Sequence, residues 1–282
     1  MSKTIVTHIH PDLDAIMSSW LLVRFNQKEF GDATFEFVPA PTTYKGLPPD
    51  NDPSVVHVDV GAGKFDHHKP GGFSTCASKL VFEDLVASNL VSPEDEPLQD
   101  MIKIAYEIDT FADCYWPESD NPRNAFMLHE IIPALHRLQK HTNEEVLKLV
   151  FTYLDAIYQR LQDIQKGREA VMEGEEFESP WGKGIAVKTE ADDVSKIAQK
   201  MGYAIVLIYD TVNGYLKIKT APNVELPLQP LYDKILTRES PLAWVYHNSG
   251  HMLFSGSDKG GLQEKTQLHL SDILEMIKGG VI

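Results

Sequence analysis

The segment from Thr4 to Phe25 constrains the fold more than any other part of the chain. A short β-branched run, Thr4 to Thr7, gives way to the polar turn His8-Ile9-His10-Pro11-Asp12-Leu13-Asp14, and from Ala15 apolar residues recur at helical spacing as far as Phe25. A strand feeding a helix through such a turn is how an open α/β sheet begins, and ligands in these sheets sit at the carboxyl ends of strands. One His and two Asp in that turn bring imidazole nitrogen and carboxylate oxygen into a small volume, a donor set suited to Mn²⁺, Mg²⁺, Co²⁺ or Zn²⁺ rather than to a soft metal. The residues also have a plainer use: Asp12 or Asp14 can cap the helix, with His8 a surface residue.

Further strands are expected at Thr34 to Val38 and Val55 to Val60, and helices at Ala77 to Leu90 and Leu98 to Ala112. From Pro122 to Phe177 the pattern is almost wholly helical, with a kink expected at Pro133, a capping box at Thr142 and Glu145, and one long amphipathic stripe from Val146 to Ile164. Beyond Ser179 strands and helices alternate, and Asn213-Gly214 between two β-rich runs reads as a two-residue hairpin turn. The expected fold class is therefore α/β: an N-terminal open, mainly parallel sheet with flanking helices over residues 1–120, a helical connector over 121–178, and a smaller C-terminal α+β domain over 179–282.

Charge narrows the function. The 41 acidic and 26 basic residues give a formal charge of −15, which opposes attraction to duplex nucleic acid, whose affinity comes from Lys and Arg on phosphates. A small phosphate ester is still a reasonable partner, because bound cations supply positive charge locally. Cys76 and Cys114 lack a disulfide or zinc spacing and are expected to be packing residues. With no signal peptide and no apolar run near the roughly 20 residues of a membrane span, a cytoplasmic protein without a membrane partner is expected, and a homo-oligomer is compatible with the sequence.

Two more constellations follow. Asp59 ends an apolar strand, where a carboxylate is costly unless paired or metal-bound, and Gly61-Ala62-Gly63 after it leaves room for backbone to approach a ligand. His57, two positions earlier, shares the expected face of Asp59 and is either a supporting residue of the site or an ordinary core histidine. Asp66-His67-His68 places two imidazoles side by side: one can coordinate a metal while the other donates to a phosphate oxygen, with Asp66 fixing ring orientation.

In order and character, His8, Pro11, Asp12 and Asp14, then Asp59, then Asp66-His67-His68 resemble the first three signature motifs of the DHH phosphoesterase superfamily. That group includes RecJ-type exonucleases, nanoRNases, cyclic dinucleotide phosphodiesterases, exopolyphosphatases and manganese-dependent pyrophosphatases. Asp109 in Glu107-Ile108-Asp109 resembles the Asp of the fourth motif, with Asp113 as the alternative, and this phrase is most similar to the melanocyte-proliferating-gene exonuclease branch. The resemblance implies two divalent cations, Mn²⁺ foremost with Mg²⁺ or Co²⁺ as alternatives. It implies His8, Asp12 and Asp59 on one, and Asp14, Asp59, His67 and Asp109 on the other, with His68 on the scissile phosphate and Asp59, Asp66 and His68 as the catalytic set.

Two such cations, roughly 3.5–4 Å apart, lower the pKa of a water between them and orient it for in-line attack on phosphorus. The expected activity is hydrolysis of phosphodiester bonds in short oligonucleotides or dinucleotides by a metal-bridging hydroxide. The alternatives are a pyrophosphatase or phosphomonoesterase of the same superfamily, and a non-catalytic metal or nucleotide sensor. Lys69, Arg123 and Lys259 are candidates for non-reacting phosphates. His247, Ser249 and Gly250, with Lys259, loosely match a Gly-rich substrate loop and match a turn between two strands equally well.

Overall fold

The computed structural model describes residues 2–69, 74–191, 193–256 and 265–280, and the chain falls into two compact units, Met1–Gln159 and Arg160–Ile282. In the first unit, β1 (Thr4–His8) lies between β2 (Thr34–Val38) and β3 (Val55–His57) in a parallel sheet of order β2-β1-β3. Thr4 stands beside Thr34 on one neighbour and beside Val55 on the other. Successive residues Ile5 and Val6 are both fully buried, as expected where helices cover both faces of a parallel sheet.

Helix α1 (Leu13–Phe25) follows β1 directly and buries every residue from Leu13 to Leu22. After the short α2 (Gln27–Phe30), α3 (Ala77–Ala87) and α4 (Glu96–Asp109) pack against α1. The start of α4 is set by Asp95, whose carboxylate accepts from Leu98 N at 3.1 Å and from the Tyr158 hydroxyl at 2.7 Å. Its buried face carries Leu98, Met101, Ile102 and Ala105.

The almost wholly helical stretch expected from Pro122 is divided into three pieces, the last beginning at the expected capping box. A 3₁₀ turn covers Pro122–Phe126, Pro133 lies inside α5 (Leu128–Arg137), and α6 (Asn143–Met172) starts afresh. The break comes from capping, not from proline: Thr142 Oγ1 accepts from Glu145 N at 3.2 Å while the Glu145 carboxylate accepts from Thr142 N at 2.7 Å. The boundary between the units falls within α6.

The second unit holds β4 (Glu175–Phe177), β5 (Gly184–Thr189), α7 (Val194–Lys200), β6 (Ile205–Asp210), β7 (Leu216–Thr220), α8 (Gln229–Leu236), β8 (Val245–Tyr246), β9 (Met252–Phe254) and α9 (Leu270–Lys278). Its mixed six-stranded sheet runs β4-β5-β6-β7-β9-β8, with β5 and β6 parallel. Alternation along β6 splits the core, Ile205 and Leu207 packing with residues of α8 and α9 while Val206 packs with residues of α7.

Two local expectations are corrected. Tyr209 pairs with Leu216 and Gly214 N donates to Asp210 O, so the β6–β7 hairpin has a longer loop than two residues. The Asp210 side chain organises it by accepting from Val212 N and Asn213 N, each at 2.9 Å. Cys76 is buried as a packing residue, but Cys114 is exposed. Among the described residues no helix is long and apolar enough to cross a membrane.

Candidate metal centre

The centre is built at the carboxyl end of β1. His8 closes the strand, and its Nδ1 donates to the Ile9 carbonyl at 3.1 Å. Because a carbonyl only accepts, Nδ1 carries a proton, and in the neutral ring the lone pair belongs to Nε2. That nitrogen lies 3.4 Å from Asp59 Oδ2 and 3.9 Å from Asp12 Oδ2. Asp12 both caps and faces the centre, since its Oδ1 accepts from Ala15 N at 3.1 Å at the start of α1.

Asp14 is buried one residue into α1, and its oxygens accept from Ala77 N at 2.6 Å and Ser78 N at 2.9 Å. It therefore ties β1–α1 to the first turn of α3, where the helix dipole favours an anion. Burial, aided by the Asp59 charge, still raises its pKa to about 7.

Asp59 sits at the middle of the cluster with φ +55°. Since β3 ends at His57 and the chain turns left-handed at Asp59, the shared face expected for the two residues does not exist. The His57 ring belongs to a different network: it lies 3.2 Å from Asp50 Oδ1 and accepts from Tyr44 N at 3.1 Å. The open space at Gly63 is likewise taken by protein, because a Cβ there would meet Asp50 Oδ2 at 2.7 Å and His57 Cβ at 2.9 Å. A left-handed aspartate costs about 1–3 kcal/mol, a strain characteristic of functional sites.

His67 completes the other side, its Nε2 3.2 Å from Asp59 Oδ1 and 3.5 Å from Asp109 Oδ2. Asp109 is the last residue of α4, whereas Asp113 lies in the following 3₁₀ turn, 4.0 Å from His129; of the two, Asp109 is the one brought to His67. Next to these, Asp66 is buried and accepts from Ala62 N at 2.6 Å and His68 N at 3.0 Å, with His68 Nδ1 at 2.9 Å. It holds the His68 ring by one nitrogen while the side chain stays exposed.

The ligand atoms form overlapping groups: His8, Asp12 and Asp59 offer atoms within 4.8 Å of one another, as do Asp14, His67 and Asp109, and also Asp59, His67 and His68. Asp59 Oδ1, His67 Nε2 and Asp109 Oδ2 are buried and make no hydrogen bond despite their proximity. Leaving a buried polar atom unpaired costs about 1–3 kcal/mol. A divalent cation satisfies two carboxylate oxygens and an imidazole nitrogen together, so the residues present fit a metal.

The electrostatics agree. Burial would lower the His8 imidazole, but Asp59 and Asp12 outweigh it and raise its pKa to about 9. His67 is also raised to about 9, chiefly by Asp59. Burial pushes Asp109 up to about 6, with the neighbouring Asp59 and Asp12 charges adding to it. For Asp59 burial acts upward too, yet the His67 and His8 contacts win and its pKa is lowered. The protons these groups retain are ones a cation would displace.

The other expected site residues have local partners of their own or fall outside the described residues. His247, Ser249 and Gly250 form the turn between β8 and β9 in the second unit, with Ser249 Oγ 2.9 Å from His247 Nδ1 and Gly250 at φ +77°. Lys259 lies outside the described residues. Lys69 donates to the Gly63 carbonyl and Arg123 pairs with Glu118, so both already have partners. Not anticipated from the sequence was His136 on α5, whose Nε2 is 3.1 Å from the Pro11 carbonyl and whose ring lies 5.0 Å from that of His10. Nothing in its spacing, more than a hundred residues downstream, marks it.

No family model and no curated protein matches the chain. Among solved structures it is similar to a DHH-domain protein described as a member of a family of ribosomal proteins. That likeness has 14% identity and a TM-score of 0.33, over 99% of this chain and 86% of the other. It is also similar to RecJ of Thermus thermophilus in complex with Mg²⁺, with 15% identity and a TM-score of 0.26, over 92% of this chain and 47% of RecJ. The chain thus spans about half the length of RecJ. Both likenesses are distant, and the case for a metal centre stands on its own side chains.

Proposed function

We propose that the chain is a dinuclear metal-dependent phosphoesterase of the DHH superfamily, nearest the melanocyte-proliferating-gene exonuclease branch, that hydrolyses phosphodiester bonds in short oligonucleotides or dinucleotides. The observation that carries this reading is the placement of Asp59, with one carboxylate oxygen beside His8 and the other beside His67. A carboxylate shared in that way suits two cations. His8, Asp12 and Asp59 would hold one, and Asp14, Asp59, His67 and Asp109 the other.

A pair of divalent cations, Mn²⁺ foremost, supplies Lewis acidity and an activated water for attack at phosphorus. The protein's own groups orient the reaction. His68, fixed through Nδ1 by Asp66, has its other ring nitrogen available to hydrogen-bond a phosphate oxygen. Asp14, anchored by two backbone N–H groups of α3, keeps its carboxylate from moving with the substrate. The charge of −15 favours a small ester over a long polyanion or a duplex.

The test is a manganese-supplemented screen of the purified protein against bis(p-nitrophenyl) phosphate, short RNA and DNA oligomers, cyclic dinucleotides and pyrophosphate, with Asp59→Ala as control. Turnover of a phosphodiester that disappears in Asp59→Ala is expected. Turnover that survives unchanged in Asp59→Ala overturns the mechanism, and hydrolysis of pyrophosphate alone moves the activity to the pyrophosphatase alternative.

A further inference from the structure

Beside the metal centre, within the first unit, lies a cleft of about 430 Å³ lined by His10, Pro11, Asp12, Ile132, Pro133, His136, Arg137 and Gln139. One wall is the turn that carries the candidate ligand Asp12; the other is the C-terminal half of α5. The cleft is chemically unlike the centre it adjoins. The centre sets the carboxylates of Asp12, Asp14, Asp59 and Asp109 among its imidazoles, whereas the cleft sets two imidazoles and a guanidinium against the single carboxylate of Asp12.

Three features mark it as built rather than incidental. His10 has a left-handed backbone, φ +55°, in a turn where an L residue pays for that conformation, and its amide donates to Asn143 Oδ1 at 3.3 Å. The His136 ring is held by the Pro11 carbonyl and stacks obliquely on His10, at 5.0 Å and 39°. Arg137 makes no ion pair or hydrogen bond among the described residues. Its guanidinium is exposed and so open to an anion from solution. Its place at the end of α5 accounts for a positive charge there, but not for its lining a cleft with two histidines beside a metal ligand.

We propose that this cleft is a phosphate subsite, in which Arg137 with the His10–His136 pair takes the terminal phosphate of a nucleotide or dinucleotide whose reacting phosphate lies at the metal centre. The guanidinium offers a planar fork of N–H donors that matches phosphate oxygens, a stronger contact than a neutral hydrogen bond. Ile132 and Pro133 give the cleft an apolar wall for the nucleoside between the two phosphates. The subsite deepens the phosphoesterase reading and rests on it for the reacting phosphate. It narrows the substrate to one bearing a second, non-reacting phosphate.

The test uses the full chain with Mn²⁺ and reads binding separately from turnover. Calorimetric titration compares adenosine 3′,5′-bisphosphate with AMP on the wild type and on Arg137→Gln, an exposed, unpaired position whose replacement leaves the fold intact. Wild type is expected to bind the bisphosphate roughly 10–100-fold more tightly than AMP, the range of one charged hydrogen-bonding contact. Arg137→Gln should abolish that margin with AMP affinity unchanged. Equal affinities in the wild type, a margin that survives Arg137→Gln, or no binding of either nucleotide overturns the subsite.

Turnover then separates the two readings. A 5′-phosphorylated dinucleotide should be preferred over its unphosphorylated counterpart by wild type and not by Arg137→Gln, while bis(p-nitrophenyl) phosphate is cleaved equally by both. An Arg137-dependent binding margin without turnover of any ester sinks the phosphoesterase reading and leaves the subsite. Turnover of bis(p-nitrophenyl) phosphate without a bisphosphate margin does the reverse.

Discussion

The two halves of the candidate metal centre meet at Asp59 and differ in how far they are removed from water. On the His8 side the side chains of His8 and Asp12 are 18% and 57% exposed. On the other side His67 and Asp109 are 11% and 12% exposed, and Asp14 is buried. The exposed half opens on the cleft with the cationic side chain, whereas the buried half is braced by the ends of two helices, α3 through Asp14 and α4 through Asp109. A charge in the buried half is less screened and attracts a cation more strongly. On the proposed function the buried half would hold its metal more tightly and the exposed half would meet substrate.

The most severe way to break that contrast is to remove what the halves share. Asp59→Asn takes a bridging charge from both, and the several kcal/mol of transition-state stabilisation expected from metals in place translate into a loss of about 10³-fold or more in kcat. Steady-state kinetics in saturating Mn²⁺ measure it, and a loss below about tenfold would mean that Asp59 does not bridge. Separating the halves is the next step. In a Mn²⁺ titration followed by electron paramagnetic resonance, two phases are expected, with Asp109→Asn removing the tighter and Asp12→Asn the weaker. Each should cost at least about 100-fold in affinity, because losing even a supporting group typically costs roughly 10–100-fold. If both substitutions weaken the same phase, the division into halves is wrong.

How much of this was legible in the sequence depended on whether a residue's role was local. The strand-turn-helix from Thr4 to Phe25 could be read because the hydrophobic period changes from two to about 3.6 around a polar turn, and β2 spans Thr34–Val38 as its alternation indicates. The convergence of His8, Asp12, Asp59 and His67 could be anticipated from motif chemistry. The choice between Asp109 and Asp113 could not, since both follow the same helical pattern and only the end of α4 and the contact between Asp113 and His129 separate them. His57 is the core histidine that one of its two readings gave, but the face it was expected to share with Asp59 is lost, because a two-residue period holds only while the backbone stays extended. His136 and Arg137 were invisible because helix packing, not sequence spacing, brings α5 to the turn after β1.

A third variant sharpens the contrast by leaving both halves alone. Among the described residues Asp66 reaches only His68 and the backbone of its own loop, so Asp66→Asn should lower kcat by roughly 10–100-fold with both Mn²⁺ phases retained. Loss of either phase would show that Asp66 supports the metals and not the His68 ring.

The smallest expected effect is on stability as pH changes, and its sign follows from the shifts. His8 and His67 are raised from 6.5 to about 9 in the metal-free fold. The stabilisation from their contacts with acidic groups is complete below pH 6.5 and is lost as pH rises through about 9. Asp109, raised from 3.8 to about 6, acts in the same direction but lower, between pH 3.8 and about 6, because there the folded state holds a proton that the unfolded chain has lost. The melting temperature of EDTA-treated protein should therefore fall between pH 6.5 and about 9, by an amount of a few degrees. The rise produced by Mn²⁺ should grow over the same interval, since the cation takes the place of protons that are then leaving. A metal-free melting temperature that climbs through this range would separate the two imidazoles from the acidic cluster, and a Mn²⁺ increment independent of pH would remove them from the ligand set.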